Sequence, residues 1–273
     1  MDKYAVFGNP IAQSKSPIIH SMFALQTGQQ LMYTAELIEK EKFPSESCRQ
    51  LRKLKGANVT VPFKQEAFEL VDMLSRRARQ AGAVNTIVKQ SDGTLMGDNT
   101  DGVGLVNDIT RNLAWIISGK RVLILGAGGA VRGALGPILA EEPTELCIAN
   151  RTHSKAEQLA QAFSGMGNIK SCAFEEIEGT FDLIINGTSA SLFGDLPAIP
   201  ASCIADTTAC YDMMYDLEKP TIFNDWVSKN GCTLVSDGFG MLVEQAAEAF
   251  ELWRGVRPQT APVIEYFRRG HQG

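Results

Sequence analysis

Short apolar runs alternate with segments whose apolar residues recur at helical spacing. Residues 4–7, 31–37 and 57–61 have the length and the β-branched and aromatic content of strands. Between them, 16–27 and a stretch within 45–53 read as helices, and Pro62 suits the first turn of another, where a missing N–H leaves nothing unpaired. Residues 83–89 and 94–97, joined by Ser91-Asp92-Gly93, read as a hairpin. A second alternating block follows Ser118-Gly119: strands at 121–125, 145–149, 181–186 and 204–207, with helices at 130–141 and 154–163. The pattern then turns helical, at 242–253 and 262–269. This alternation predicts an α/β fold with largely parallel sheets, in two units with a ligand cleft between them.

Composition narrows the function classes. A chain of 273 residues suits about two domains, and 44% apolar against 21% charged residues suffices to build and cover a core. A net charge of −5 offers no footprint for nucleic acid or an anionic membrane. No apolar run nears the ~20 residues that cross a bilayer, and the first residues lack the pattern of a signal peptide. The six cysteines are far apart in sequence with no CxxC, which predicts reduced, mostly packed thiols in the cytoplasm. Three histidines, no two on one helix face, predict no metal site.

The 121–125 run leads into Gly126-Ala127-Gly128-Gly129-Ala130-Val131. Glycines there permit a tight strand-to-helix turn and let main-chain N–H groups approach a pyrophosphate at a helix N-terminus, the device of a Rossmann-like dinucleotide domain. The following strand ends in Asn150-Arg151-Thr152, with His153, Ser154 and Lys155 next, and Arg151 lies 25 residues after Gly126. An acidic residue at such a position favours NAD by accepting from a free 2′-hydroxyl. A guanidinium instead pairs with a 2′-phosphate, so the expected cofactor is NADP; the alternative is a solvated arginine at a helix start.

Polar groups cluster where strands of the first unit should end: Ser14-Lys15-Ser16, Asn58 to Lys64, Asn85-Thr86, and Asp98 to Gly102. Singly, each can cap a helix or close a turn, and Ser16 before Pro17 and Asp101 before an apolar helix suit N-caps. Together they suit a small, polyhydroxylated, anionic ligand. The motifs GNPIAQSKSP (8–17), GANVTVPFK (56–64), AGAVNT (81–86), GDNTDG (97–102), GAGGA (126–130), ANRT (149–152), YDMMY (211–215) and DGFGMLVEQA (237–246) make the chain resemble the shikimate dehydrogenases over almost its whole length.

The resemblance implies reversible, NADPH-dependent reduction of 3-dehydroshikimate to shikimate, a step toward chorismate and the aromatic amino acids. By motif, it implies that Lys64 is the catalytic acid/base with Asp101 as its partner, and that Ser14, Ser16 and Tyr215 attend the substrate carboxylate. Asn58, Thr60, Asn85 and Gln245 would attend the ring hydroxyls. Gly126, Ala127, Gly128, Gly129 and Ala130 with Asn150, Arg151, Thr152, His153, Ser154 and Lys155 would hold NADP, and Met213 and Gly238 would lie near the nicotinamide. Residues 1–101, with 239–273 packing back, would form the substrate-binding and catalytic domain, and 102–238 the NADP-binding domain. A lysine amine can give or take the proton of the alkoxide; burial favours its neutral form and a neighbouring carboxylate its charged form. The expected partner is a small molecule, and the expected state a monomer or homodimer.

Three positions depart from the family pattern. Arg76 stands where an acidic residue is frequent, Asn186-Gly187-Thr188 where Asn-Ala-Thr is usual, and Val131 where a small residue is common. Gly187-Thr188-Ser189-Ala190-Ser191 mimics a nucleophile elbow but lacks its last glycine. Two rival readings stay open: an NAD-preferring quinate/shikimate dehydrogenase, against which Arg151 argues, and a noncatalytic dinucleotide sensor, against which the presence of both Lys64 and Asp101 argues.

Overall fold

A computed structural model describes residues 1–188, 190 and 195–270 of the chain, so Ser189 and Ser191 lie outside the described residues. The chain divides into two compact units, Met1–Gly104 with Val243–Tyr266, and Leu105–Leu242 with Phe267–Gly273.

In the first unit, β1 (Asp2–Gly8) carries a run buried on both faces, Tyr4 to Gly8, and so sits inside the sheet. It is followed by α1 (Ser16–Thr27), β2 (Leu31–Leu37), α2 (Phe43–Leu51), β3 (Gly56–Val59), α3 (Lys64–Leu70), β4 (Met73–Leu74), α4 (Arg76–Ala81), β5 (Thr86–Lys89), β6 (Leu95–Asp98) and α5 (Asp101–Asn107). The sheet order is β2-β1-β3-β5-β6-β4. The pairings β1 with β2, β1 with β3 and β4 with β6 are parallel, whereas the hairpin strand β5 runs antiparallel to β3 and β6. One face packs Phe7, Phe43, Phe63 and Ile87, with the Phe43 and Phe63 rings stacked at 4.4 Å. Each such buried side chain contributes about 1.5–3 kcal/mol of transfer free energy.

The second unit reads β7 (Arg121–Leu125), α6 (Gly129–Ala140), β8 (Glu145–Ala149), α7 (His153–Phe163), β9 (Ile169–Cys172), β10 (Leu183–Asn186), β11 (Ala209–Asp212), α8 (Ile222–Lys229) and β12 (Leu234–Asp237). All its pairings are parallel, in the order β12-β11-β10-β7-β8-β9. This is the doubly wound arrangement, whose order reverses between β7 and β10 and leaves a ligand crevice at the carboxyl ends of those strands. The chain closes with α9 (Phe239–Arg254) and α10 (Ala261–Arg269).

Several expected elements moved. No strand forms at 204–207: Ala205 N–H donates to Thr208 Oγ1 and Thr208 N–H to the Ala205 carbonyl, closing a turn, and the strand begins at Ala209. The helix expected from Pro62 begins at Lys64, because Phe63 N–H bonds the Thr60 carbonyl in a reversal that spends those residues. Ser16 is the first residue of α1 rather than its N-cap; Lys15 takes the capping position, and Ser14 Oγ accepts from the Ser16 N–H at 3.3 Å. The hairpin strands span only Thr86–Lys89 and Leu95–Asp98. Cys147 and Cys172, far apart in sequence, face each other across β8 and β9 with sulfurs 3.6 Å apart as free thiols.

Candidate active site

Lys64 opens α3 and Asp101 opens α5, and the fold brings them together. Lys64 Nζ donates to Asp101 Oδ2 at 2.6 Å. Their side chains are 31% and 14% exposed, so the pair is reachable by a ligand yet partly shielded from water. The Asp101 carboxylate is therefore not an N-cap: its other oxygen, Oδ1, accepts from Asn85 Nδ2 at 2.7 Å. Gln245, from α9, offers Oε1 to the same Asn85 Nδ2 at 3.3 Å and to Thr100 Oγ1 at 3.5 Å.

Thr100 and Thr86, which stand in the polar stretches of the sequence without an individual role there, complete the cluster. The Thr100 N–H donates to Asn85 Oδ1 at 2.9 Å, and Thr86 Oγ1 donates to the same oxygen at 2.9 Å. Asn58 joins through Thr86, with Nδ2 at 3.1 Å from Thr86 Oγ1 and Oδ1 accepting from the Tyr33 hydroxyl at 2.7 Å. Both threonines stand inside quoted motifs, but only the antiparallel β5–β6 register, which sets Thr86 opposite Asp98, shows that they share one network. Thr60 sits at the turn before α3, its N–H on the Phe7 carbonyl. Ser14 and Ser16 are tied to one another, and the Ser16 side chain interacts with the Tyr33 hydroxyl that serves Asn58.

Asp98, in the same motif as Asp101, has a structural role. Burial works against its ionisation, but the Arg77 guanidinium and the Ser75 hydroxyl outweigh it and hold the carboxyl below the usual range. Arg77 also reaches Glu248 of α9 at 2.7 Å.

In the second unit, the glycine loop joins β7 to α6. Gly126 takes a φ of +105°, a conformation L side chains rarely adopt, and its N–H bonds the Ala149 carbonyl at 2.8 Å. Gly128 is the N-cap of α6 and supplies no side-chain acceptor, and side chains added at Gly128 or Gly129 would meet nothing within 4 Å. Residues 128–130 are exposed and the first turn has no side-chain cap, as a pyrophosphate site requires. Arg151, Thr152, His153, Ser154 and Lys155 are all exposed at the end of β8 and the start of α7, whose N-cap Thr152 makes no capping bond. Asn150 Nδ2 donates to the Thr152 carbonyl at 2.8 Å and fixes the turn between them. These cationic and hydroxyl donors fit a phosphorylated ribose.

The loops after β10 and β11 are braced by buried groups. Asn186 Oδ1 accepts from the Thr188 N–H and hydroxyl, and its Nδ2 donates to Asp212 Oδ1 at 3.1 Å. Asp212 also accepts from the Met214 N–H and, at 2.7 Å, from the Thr221 hydroxyl. Burial pushes its carboxyl up to about 6 against these donors. Met213 leads into Tyr215, half-buried with its ring 5.4 Å from Phe239. A side chain at Gly238 would overlap the Met213 carbonyl, which explains the glycine. Gly187 is likewise a spatial necessity: a Cβ there would collide with Val131 Cγ2 and lie 3.0 Å from Met213 Sδ. The two departures at 131 and 187 are thus one compensated pair. The side chain of Arg76, the third departure, has no partner that explains its charge.

Comparison with known proteins agrees with this arrangement. Residues 6–87 match the shikimate dehydrogenase substrate-binding domain, 108–222 the shikimate/quinate 5-dehydrogenase domain and 238–265 the shikimate 5′-dehydrogenase C-terminal domain. The shikimate dehydrogenase (NADP(+)) of Saccharophagus degradans is 53% identical, over 98% of this chain and 99% of that one. Among solved structures, an Ael1 enzyme from Pseudomonas putida superposes with a TM-score of 0.93 at 44% identity, covering 98% of both chains. A Thermus thermophilus shikimate 5-dehydrogenase in complex with NADP(H) and shikimate gives 0.85 at 31% identity, over 98% of this chain and 99% of that one. With matched domains in sequence order and relatives alike from one end to the other, the chain belongs to the shikimate dehydrogenase family.

Proposed function

We propose that the protein interconverts 3-dehydroshikimate and shikimate with NADP(H), a step toward chorismate and the aromatic amino acids. The observation that carries this reading is the 2.6 Å pairing of Lys64 with Asp101 in a half-open polar cluster, in a chain that also holds an uncapped glycine-loop helix and an exposed Arg151. The cofactor, when bound, supplies or accepts the hydride. Everything else falls to the chain's own side chains.

Lys64 delivers a proton to the carbonyl oxygen as it becomes a hydroxyl, and removes it in the reverse direction. Asp101 orients the ammonium and, through Asn85 on its second oxygen, is itself held in place. Asn58, Thr60, Asn85 and Gln245 address ring hydroxyls, and Ser14, Ser16 and Tyr215 the carboxylate. Gly126 to Ala130 cradle the pyrophosphate, Asn150 to Lys155 the phosphorylated ribose, and Met213 and Gly238 flank the nicotinamide. Residues 1–101 with 239–273 act as the substrate and catalytic domain, and 102–238 as the NADP domain. We place the enzyme in the cytoplasm as a monomer or homodimer, in keeping with its six free thiols; among the described residues no helix is long and apolar enough to cross a membrane.

The test is NADPH formation on adding shikimate, measured with wild type and Lys64→Ala. The variant should lose about 10²–10⁴ in turnover while its affinity for shikimate stays within about threefold. Retained turnover removes Lys64 from proton transfer. Faster turnover with NAD or with quinate moves the protein to the quinate/shikimate branch, and binding of both ligands without turnover makes it a sensor.

A further inference from the structure

The polarity of the hydrogen bonds around Asn85 is dictated by main-chain groups. The Thr100 N–H can only donate, and it meets Asn85 Oδ1 at 2.9 Å. Nδ2 is thereby turned to Asp101 Oδ1, an acceptor, at 2.7 Å. Thr86 Oγ1, 2.9 Å from Asn85 Oδ1, gives that oxygen its one proton. With the proton spent, Thr86 Oγ1 accepts from Asn58 Nδ2 at 3.1 Å. The Asn85 carbonyl, also an acceptor, lies 3.2 Å from the same Nδ2. Asn58 Oδ1 is left facing Tyr33, whose hydroxyl donates at 2.7 Å.

We propose that Tyr33 and Thr86 are positioning residues of the reaction, holding Asn85 and, through it, the Asp101 carboxylate that carries Lys64. The proposal rests on the reading of Lys64 as the proton carrier. Donations from Tyr33 to Asn58, Asn58 to Thr86, Thr86 to Asn85 and Asn85 to Asp101 all run one way, so each polarises the next and strengthens the last. Burial raises the Tyr33 phenol well above its usual range and keeps it a donor. The ring is clamped by stacking on His20 at 4.2 Å and 9°. Neither residue has a hydrogen bond to Lys64 or Asp101: Thr86 acts on the pair through Asn85, and Tyr33 through Asn58 and Thr86, with Ser16 as its other polar neighbour.

The test begins with unmodified protein, whose shikimate-dependent NADPH formation judges the proposed function alone; variants are then read only as ratios to it. Tyr33→Phe keeps the stacked ring and deletes one hydroxyl, and Thr86→Val keeps the side-chain shape. Each should lower kcat about five- to twentyfold with both KM values within about twofold. The double variant should lose no more than the worse single one, as members of one series do, and Thr86→Ser should stay within about twofold of wild type. A reading without turnover is the side-chain NH₂ signal of Asn85 in a proton–nitrogen correlation spectrum of ligand-free protein, which should move in Tyr33→Phe. Unchanged kcat in Tyr33→Phe, losses that multiply in the double variant, or an unmoved Asn85 signal would each overturn the proposal. If Thr86→Val does not fold, Tyr33→Phe decides by kcat and by that signal.

Discussion

Gly187 and Val131 behave as a lock with one vacancy: the branched side chain on α6 takes the volume that an alanine methyl at 187 would need. Inserting that methyl into a packed wall costs about 1–3 kcal/mol, because a valine branch cannot swing away. We therefore predict that Gly187→Ala lowers stability by about that much, and that the double variant with Val131→Ala loses at least about 1 kcal/mol less than the two single losses added together. Urea midpoints of the two single variants and the double variant check this; strictly additive losses would mean that the collision does not exist. Each departure was visible in the sequence as an oddity, but their coupling was not, since it depends on which turn of α6 faces the loop after β10. The same holds for the cluster around Lys64. Lys64 and Asp101 were legible through their motifs, whereas Thr86 and Thr100 had no individual role in the sequence, and only the fold shows that both bond one amide, that of Asn85.

At the scale of elements, α1, β2 and α9 meet in an aromatic cluster centred on His20. Its ring lies 4.2 Å from Tyr33, 5.4 Å from Trp253, 5.9 Å from Phe23 and 6.2 Å from Phe250. Among the described residues neither ring nitrogen finds a well-formed hydrogen bond, and complete burial, outweighing an interaction with the Asn58 side chain, lowers the imidazole from 6.5 to about 3, so it is neutral in the fold. An unfolded chain takes up that proton below pH ~6.5, so the contribution of neutral His20 is present above pH ~6.5 and is lost as pH falls toward 3, by at most about 1.4 kcal/mol per pH unit. His20→Phe keeps the stack without the proton and should hold its urea midpoint better than wild type between pH 6.5 and 4. Parallel decline of the two proteins would show that the imidazole is not held neutral. In the second unit, element legibility followed burial. Unbroken apolar runs such as β7, β8 and β10 were readable, because strands covered on both faces leave no polar interruption. The edge strands β9 and β12, half-exposed and carrying polar residues, gave no such signal.

For the whole molecule, each unit has its own core and its own candidate ligand residues, so either ligand alone should stabilise the fold by linkage. At a hundredfold excess over its Kd, each adds about 2.7 kcal/mol. Thermal unfolding with NADP alone and with shikimate alone should therefore show two separate upward shifts. Arg151→Ala should shrink the NADP shift, leave the shikimate shift intact and leave any response to NAD unchanged; equal loss with NAD would contradict recognition of the 2′-phosphate. The order of the chain adds a constraint of its own. Val243–Tyr266, which belongs with Met1–Gly104, supplies Gln245 to the lysine cluster, Glu248 to Arg77 and the Trp253 ring stacked on Tyr4 at 4.6 Å. During synthesis, Met1–Gly104 must wait while Leu105–Leu242 is translated, and its core can be completed only once Val243–Tyr266 follows. Loss of Val243–Tyr266 would thus injure the unit that holds the Lys64–Asp101 pair, although most of that unit is made first.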